Sequence, residues 1–217
     1  LPNYPHTRAS ELVEDHFGEM VADPFRWLEN DVRTNQEVRD WVNRENALSS
    51  GYLSALPGRT ILAERMKQII GFERHGTPRK AGRFYFYLRN DGLQNQSVLY
   101  VREGLDGRPR SLVDPNGWAR DGATALAEWM PSNDGHHVAF AVQDGGTDWR
   151  TLRVIDVDTG DPTRDEIKWV KLSALAWKAD GSGFFYSRFP EPEAGGTFQS
   201  INLNQAVYFH ALGTSQA

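Results

Sequence analysis

A serine hydroxyl becomes a nucleophile when a histidine, itself oriented by a carboxylate, takes its proton. In α/β-hydrolases the strained strand-to-helix turn that exposes such a serine reads G-x-S-x-G. No such string occurs in this chain. The nearest, Asp180-Gly181-Ser182-Gly183, has the wrong spacing and reads as a hairpin turn. The histidines are His6, His16, His75, His136, His137 and His210, and none accompanies a candidate nucleophile. No catalytic residue is therefore expected within these residues. His136-His137 raises the question of a metal, but neighbours on a strand point to opposite faces. With no third ligand evident, a solvated hairpin is expected, with neither metal nor other cofactor. Glu14-Asp15 could pose as paired carboxylates for acid–base work, yet sequence neighbours separate in space, and a loop or cap role is expected. Cysteine is absent, which excludes disulfides and thiolate chemistry.

The elements that would position any site fall into two regions with different periods. Residues 1–71 read as helices joined by polar loops. Asp23-Pro24 reads as a helix start, and Thr34-Asn35-Gln36-Glu37 fits a capping box. Val38, Trp41, Val42, Leu48, Tyr52 and Leu53 follow at helical spacing. A second helix carries Ile61, Leu62, Met66, Ile69 and Ile70, with Gly71 as its stop. These stripes are too small to form a core alone and require an outside surface.

After Gly71 the period changes to that of strands. Phe84–Tyr87, Val138–Val142 and Phe184–Tyr186 are short apolar runs, each preceded by a glycine turn, and the run 84–87 reads as core. From Gly82 to Gly135 is 53 residues, as it is from Gly107 to Gly160 and from Gly160 to Gly213. Gly135 to Gly181 is only 46, which predicts a longer compensating loop around Glu191–Asn202. A sheet-sized repeat of this length suits a four-stranded propeller blade. Residues 72–217 have room for about two to three of the roughly four to eight blades in a closed ring. The last hairpin, Val207–Gly213, lacks its return strand, so the array is expected to continue past Ala217.

Composition narrows the partners. A chain with 39% hydrophobic and 24% charged residues is that of a folded protein, not a disordered one. Its net charge of −5 comes without a basic stripe, so no nucleic-acid partner is expected. No apolar run approaches a membrane span, so no membrane partner is expected either. The chain starts at Leu1 without methionine, which is compatible with both a cytoplasmic and a processed periplasmic protein.

Particular strings carry more than the rhythm does. Val13-Glu14-Asp15-His16-Phe17-Gly18 followed by Val21-Ala22-Asp23-Pro24-Phe25-Arg26-Trp27-Leu28-Glu29 resembles the amino-terminal signature of the prolyl oligopeptidase family of serine peptidases. The resemblance continues through Asn90–Gln96, Leu99-Tyr100-Val101, Asp114-Pro115-Asn116, Gly146-Thr147-Asp148-Trp149, Trp169–Ser173 and Gly183–Arg188. It ends with Asn204–His210 and Leu212-Gly213-Thr214. Oligopeptidase B, a relative, shares the opening more weakly, and the strings Gly92–Gln96 and Trp169–Ser173 favour the prolyl branch.

The resemblance implies a mainly β chain: an N-terminal helical arm (1–71) and the first two to three blades (72–217) of a seven-bladed β-propeller. The arm would pack on a C-terminal α/β-hydrolase domain that, with the Ser/Asp/His triad, is not in this chain. It implies hydrolysis of short proline-containing peptides on the carboxyl side of proline, the propeller gating their size. The remaining blades and the hydrolase domain of the same protein would be its partners. It also places Leu172, where the family commonly has phenylalanine, on an apolar wall near the residues preceding proline. The alternative for Leu172 is an ordinary blade-core residue. Asp148 and Trp149 would lie in a loop at the domain interface, the alternative being a turn-capping Asp and a packing Trp. Two other functions stand against the peptidase: a stand-alone propeller-like protein-binding module without catalysis, and the corresponding part of oligopeptidase B.

Overall fold

The structure, a computed structural model, describes residues 3–145, 147–193, 197 and 201–216. Gly146, Ala217 and half of the compensating loop expected around Glu191–Asn202 lie outside the described residues. The described residues divide into two compact units, one with residues 3–66, 193 and 197 and the other with the rest.

The first unit is not purely helical. Residues expected to be a polar loop form a hairpin of β1 (Val13–His16) and β2 (Glu19–Ala22), registered from Val13↔Ala22 to His16↔Glu19. Its turn places Phe17 and Gly18 at φ 58° and 94°, the positive pair that two-residue hairpin turns require. Asp15 Oδ1 closes the turn by accepting from the Gly18 N–H at 2.6 Å. Asp23-Pro24 leads only into a short 3-10 turn, Arg26–Glu29, where Asp23 holds the Arg26 guanidinium at 2.5 Å. Helix α1 (Gln36–Ser54) is capped by Asn35 rather than Thr34: Asn35 Oδ1 accepts from the Val38 N–H at 3.0 Å. The carboxylate expected to complete a capping box, Glu37, instead pairs with Arg8 at 2.7 Å. Asn35→Ala is expected to cost about 1 kcal/mol, read as faster amide exchange in the first turn of α1. Helix α2 (Arg59–Ile70) ends where the Gly71 N–H bonds Lys67 O at 2.8 Å. Of α1 only Val38 is buried and of α2 nothing is, so Ile61, Leu62, Met66 and Ile69 stand exposed.

The second unit is antiparallel sheet. The first blade comprises β4 (Arg79–Ala81), β5 (Phe84–Asn90), β6 (Val98–Glu103) and β7 (Arg110–Val113), with the short β3 (Arg74–His75) on the far end of β5. The second comprises β8 (Ala125–Pro131), β9 (His137–Gln143), β10 (Arg150–Asp156) and β11 (Pro162–Val170) in sequential order. A third begins with β12 (Ala176–Trp177), β13 (Gly183–Arg188) and β14 (Ala206–Ala211). A single rung, Val170↔Arg188, links β11 to β13.

Because strand side chains alternate between faces, the apolar strands of the second blade fill two seams. Phe84, Phe86 and Val101 of the first blade meet Val138, Phe140 and Ile155 of the second. The opposite face of β9 and β10 offers Ala139, Ala141, Leu152 and Val154 to Phe184 and Tyr186 of the third. The 53-residue interval has a spatial meaning as well. The turn at Gly82 lies on the turn at Asn133–Gly135, with the Gly82 N–H donating to Asn133 O at 3.1 Å. A Cβ on Gly181 would in turn stand 3.1 Å from Asp134 Oδ2, so the three turns stack from blade to blade.

Candidate functional site

The β10–β11 hairpin brings together the residues singled out from the sequence. Its register pairs Arg150 with Val170, so the loop entering β10 and the segment leaving β11 lie side by side. The entering loop is fixed by Gln143 Nε2 on Thr147 O (2.8 Å) and by the Trp149 N–H on Thr147 Oγ1 (3.0 Å). Among the described residues the capping oxygen of this turn belongs to Thr147, and none donates a capping bond to Asp148. Trp149 stands edge-on to Trp169 and Phe189, with centroids at 5.7 and 6.1 Å. The Lys171 ammonium sits 4.8 Å above its ring and 3.9 Å from the exposed Asp148 carboxylate. A cation over an indole contributes about 1 kcal/mol at a half-shielded site, whereas the loose Asp148 pair adds little.

Leu172 follows directly. It is not a core residue: its side chain is 77% exposed, and its φ of 52° is left-handed. Trp169, at φ 63°, is left-handed too. Two such residues three apart in sequence break the strand alternation, and the leucine that follows Lys171 is left exposed. The structure thus links Trp149 and Asp148 to Lys171, and Trp149 to Trp169, while Leu172 follows Lys171 in the chain with its side chain exposed. A signal for Lys171 was present in the sequence, since Trp149 and Lys171 are equally far from Gly160 near the hairpin tip.

The residues weighed for catalysis lie elsewhere. Ser182 Oγ donates to Asp180 Oδ1 at 2.6 Å within its own turn. The Lys178 ammonium and the bonds from Ser182 hold that carboxyl well below the usual carboxylate range. Asp158 accepts from Arg83 at 2.7 Å and meets His136 Nδ1 at 2.9 Å, while His137 stacks on Trp177. Glu14 faces Arg26, and Asp15 caps its turn, so these carboxylates do not converge.

One histidine has a partner that sequence reading missed. His210 on β14 meets Asp165 on β11, Nε2 to Oδ1 at 2.7 Å, with both side chains buried. Thr163 Oγ1 donates to Asp165 Oδ2 at 2.6 Å and the Gly213 N–H to Oδ1 at 2.7 Å. The hydroxyl thus sits on the carboxylate and not on the imidazole, the reverse of a nucleophile–base pair. Burial pushes the Asp165 carboxyl up, but the bonds from Thr163, His210 and Gly213 outweigh it and hold it below its ordinary value. A separate cavity of about 470 Å³ opens between the first two blades, lined by Val113, Trp118, Phe140, Val142 and Arg153. Its one cation, Arg153, is engaged by Glu166 at 2.8 Å, so no reacting groups converge there. No helix among the described residues is long and apolar enough to cross a membrane.

Four-stranded antiparallel units stacked face to face define this second unit as part of a β-propeller. Residues 4–217 match the family model described as prolyl oligopeptidase, N-terminal beta-propeller domain, and the chain belongs to that family. It is 35% identical over 214 residues to a prolyl endopeptidase of Elizabethkingia meningoseptica, covering 99% of this chain and 30% of that protein. It is 27% identical to a prolyl endopeptidase of Dictyostelium discoideum, over 97% of this chain and 34% of that one. A structure from a study of two prolyl endopeptidases superposes with a TM-score of 0.86 at 36% identity, over 98% of this chain and 31% of that one. Prolyl oligopeptidase B from Galerina marginata, solved bound to a 35mer hydrolysis and macrocyclization substrate, gives 0.81 at 29% identity, over 100% and 33%. The chain thus spans about a third of the length of the relatives it matches.

Proposed function

We propose that this chain is the N-terminal part of a serine endopeptidase that hydrolyses short peptides on the carboxyl side of proline, its propeller gating substrate by size. The observation that carries this reading is the family match from residue 4 to residue 217. Residues 1–71 form the arm that docks on the α/β-hydrolase domain, and the exposed apolar residues of α2 give that arm a surface to bury. Residues 72–217 form the opening blades. The outward Leu172 lines the apolar wall that meets the residues preceding proline, and Asp148 and Trp149 stand at the domain interface beside it. The triad belongs to the hydrolase domain, and the remaining blades complete the gate.

The test compares two purified proteins. The chain alone is expected to leave a short fluorogenic proline-containing peptide intact. The full polypeptide that carries it is expected to cut that peptide after proline, to lose activity to a serine-directed phosphonate, and to leave folded proteins uncut. Turnover by the chain alone, or cleavage by the full polypeptide at residues other than proline, overturns the reading.

A further inference from the structure

Leu172 holds a conformation that costs a residue with a Cβ about 1–2 kcal/mol, and its exposed side chain recovers little of that by packing. Backbone of this kind persists only where the surroundings over-determine it. The restraint comes from Gln205, the residue just before β14. Its Nε2 donates to Lys171 O at 3.0 Å and to Ser187 Oγ at 3.0 Å, using both amide hydrogens. On the other side of the leucine, Ser173 Oγ accepts from the Ser187 N–H at 2.8 Å and donates to Ala174 O at 2.8 Å. Both flanks of Leu172 are therefore tied to one residue of β13: through Gln205 to the Ser187 hydroxyl, and through Ser173 to the Ser187 amide. Trp149 meanwhile holds the Lys171 side chain under its ammonium, 4.8 Å from the ring. With its neighbours anchored, Leu172 completes the chain path only in the left-handed turn that presents its side chain outward.

We propose that Gln205 is a positioning residue for substrate selection, fixing the outward leucine against the residues that precede proline. The inference rests on the reading of Leu172 as part of the substrate wall. The donors are the essential feature. Glutamate at 205 has the same shape but sets a carboxylate oxygen against the Lys171 carbonyl and repels it.

The test uses the full polypeptide and two fluorogenic peptides, one with leucine and one with glycine two positions before proline. The readout is the ratio of kcat/KM between them. Leu172→Ala is expected to lower this ratio about fivefold, as loss of an apolar wall contact does. Gln205→Glu and Gln205→Ala are expected to lower it by a similar factor, through KM rather than kcat. Gln205→Glu in the Leu172→Ala background should lower it no further. A second measurement does not depend on turnover. Leu172→Gly, which takes positive φ without strain, is expected to raise Tm, and that gain should vanish when Gln205→Glu is also present. If Leu172→Ala lowers the ratio and the Gln205 variants do not, the role of Gln205 is overturned while the wall stands. If Leu172→Ala leaves the ratio unchanged, both fall. A Tm gain that survives Gln205→Glu overturns the restraint itself.

Discussion

Asp165→Ala is expected to lower the unfolding free energy of the propeller by about 3–5 kcal/mol, because it leaves a buried histidine without its partner. It also strips the acceptor from the Thr163 hydroxyl and the Gly213 N–H, both bonded to that carboxylate. The bonds from His210 and Gly213 run from β11 to β14 and to the turn after it, so the second and third blades lose a polar tie as well as stability. His210→Ala should cost a similar amount, and the double variant should cost less than the two singles added, as members of one network do. Urea unfolding at neutral pH reads all three. The acid limb follows from the sign of the Asp165 shift. Its folded carboxyl lies below the ordinary value near pH 3.9, so its contribution is complete above that pH. The contribution is lost as pH falls through the lower folded value. Asp165→Asn should flatten stability against pH below about 4; an unchanged acid limb would assign the loss to other carboxylates.

Gly82→Ala is the second large effect, expected at about 3 kcal/mol from two separable causes. The φ of 53° accounts for about 1–2 kcal/mol in any residue with a Cβ. The rest is contact: the new Cβ would lie 1.8 Å from Asp134 O, which is backbone and cannot swing aside. Overpacking of this kind costs about 1–3 kcal/mol. Gly104→Ala is the control. Gly104 has nearly the same φ, 61°, with nothing within 4 Å of its added Cβ, so it should show the conformational part alone. Equal losses at the two positions would mean that the Gly82 and Asp134 turns do not press on each other.

These two sites mark what was readable in the sequence and what was not. Strands β5, β9 and β13 and the turns at Gly82, Gly135 and Gly181 were legible, because alternation and turn chemistry are local. The β1–β2 hairpin was not. Its strands have four residues each and little apolar alternation, and Asp23-Pro24 after them carries a helix-start signal that the chain does not use. The capping box failed for a tertiary reason, since Arg8 claims the glutamate and leaves the cap to the neighbouring asparagine. The exposure of Leu172 carries no local signal, since an apolar residue between strands reads equally as blade core. Its left-handed backbone has no local cue, and Gln205, whose side chain bonds the carbonyl just before it, lies 33 residues further along the chain. The Asp165–His210 pair is separated by 45 residues, and no periodicity joins two buried polar side chains across blades.

The two seams differ in a way that bears on how such a chain assembles. A protein built on a near-constant turn rhythm risks slipping by one unit, with a sheet stacking on the wrong neighbour while every hairpin remains intact. Here the side-chain volumes discriminate. Were the first blade to stack directly on the third, Phe86 would collide with Phe184, which is shaped to sit over Ala139 and Ala141. Were the alanine face of the second blade to meet Val138 and Phe140 of another copy, the smaller side chains would leave a void in place of Phe84 and Phe86. One error is penalised by overlap and the other by lost contact. The glycines set a beat that would tolerate miscounting, and the alternation of bulk and gap between seams fixes which blade comes next.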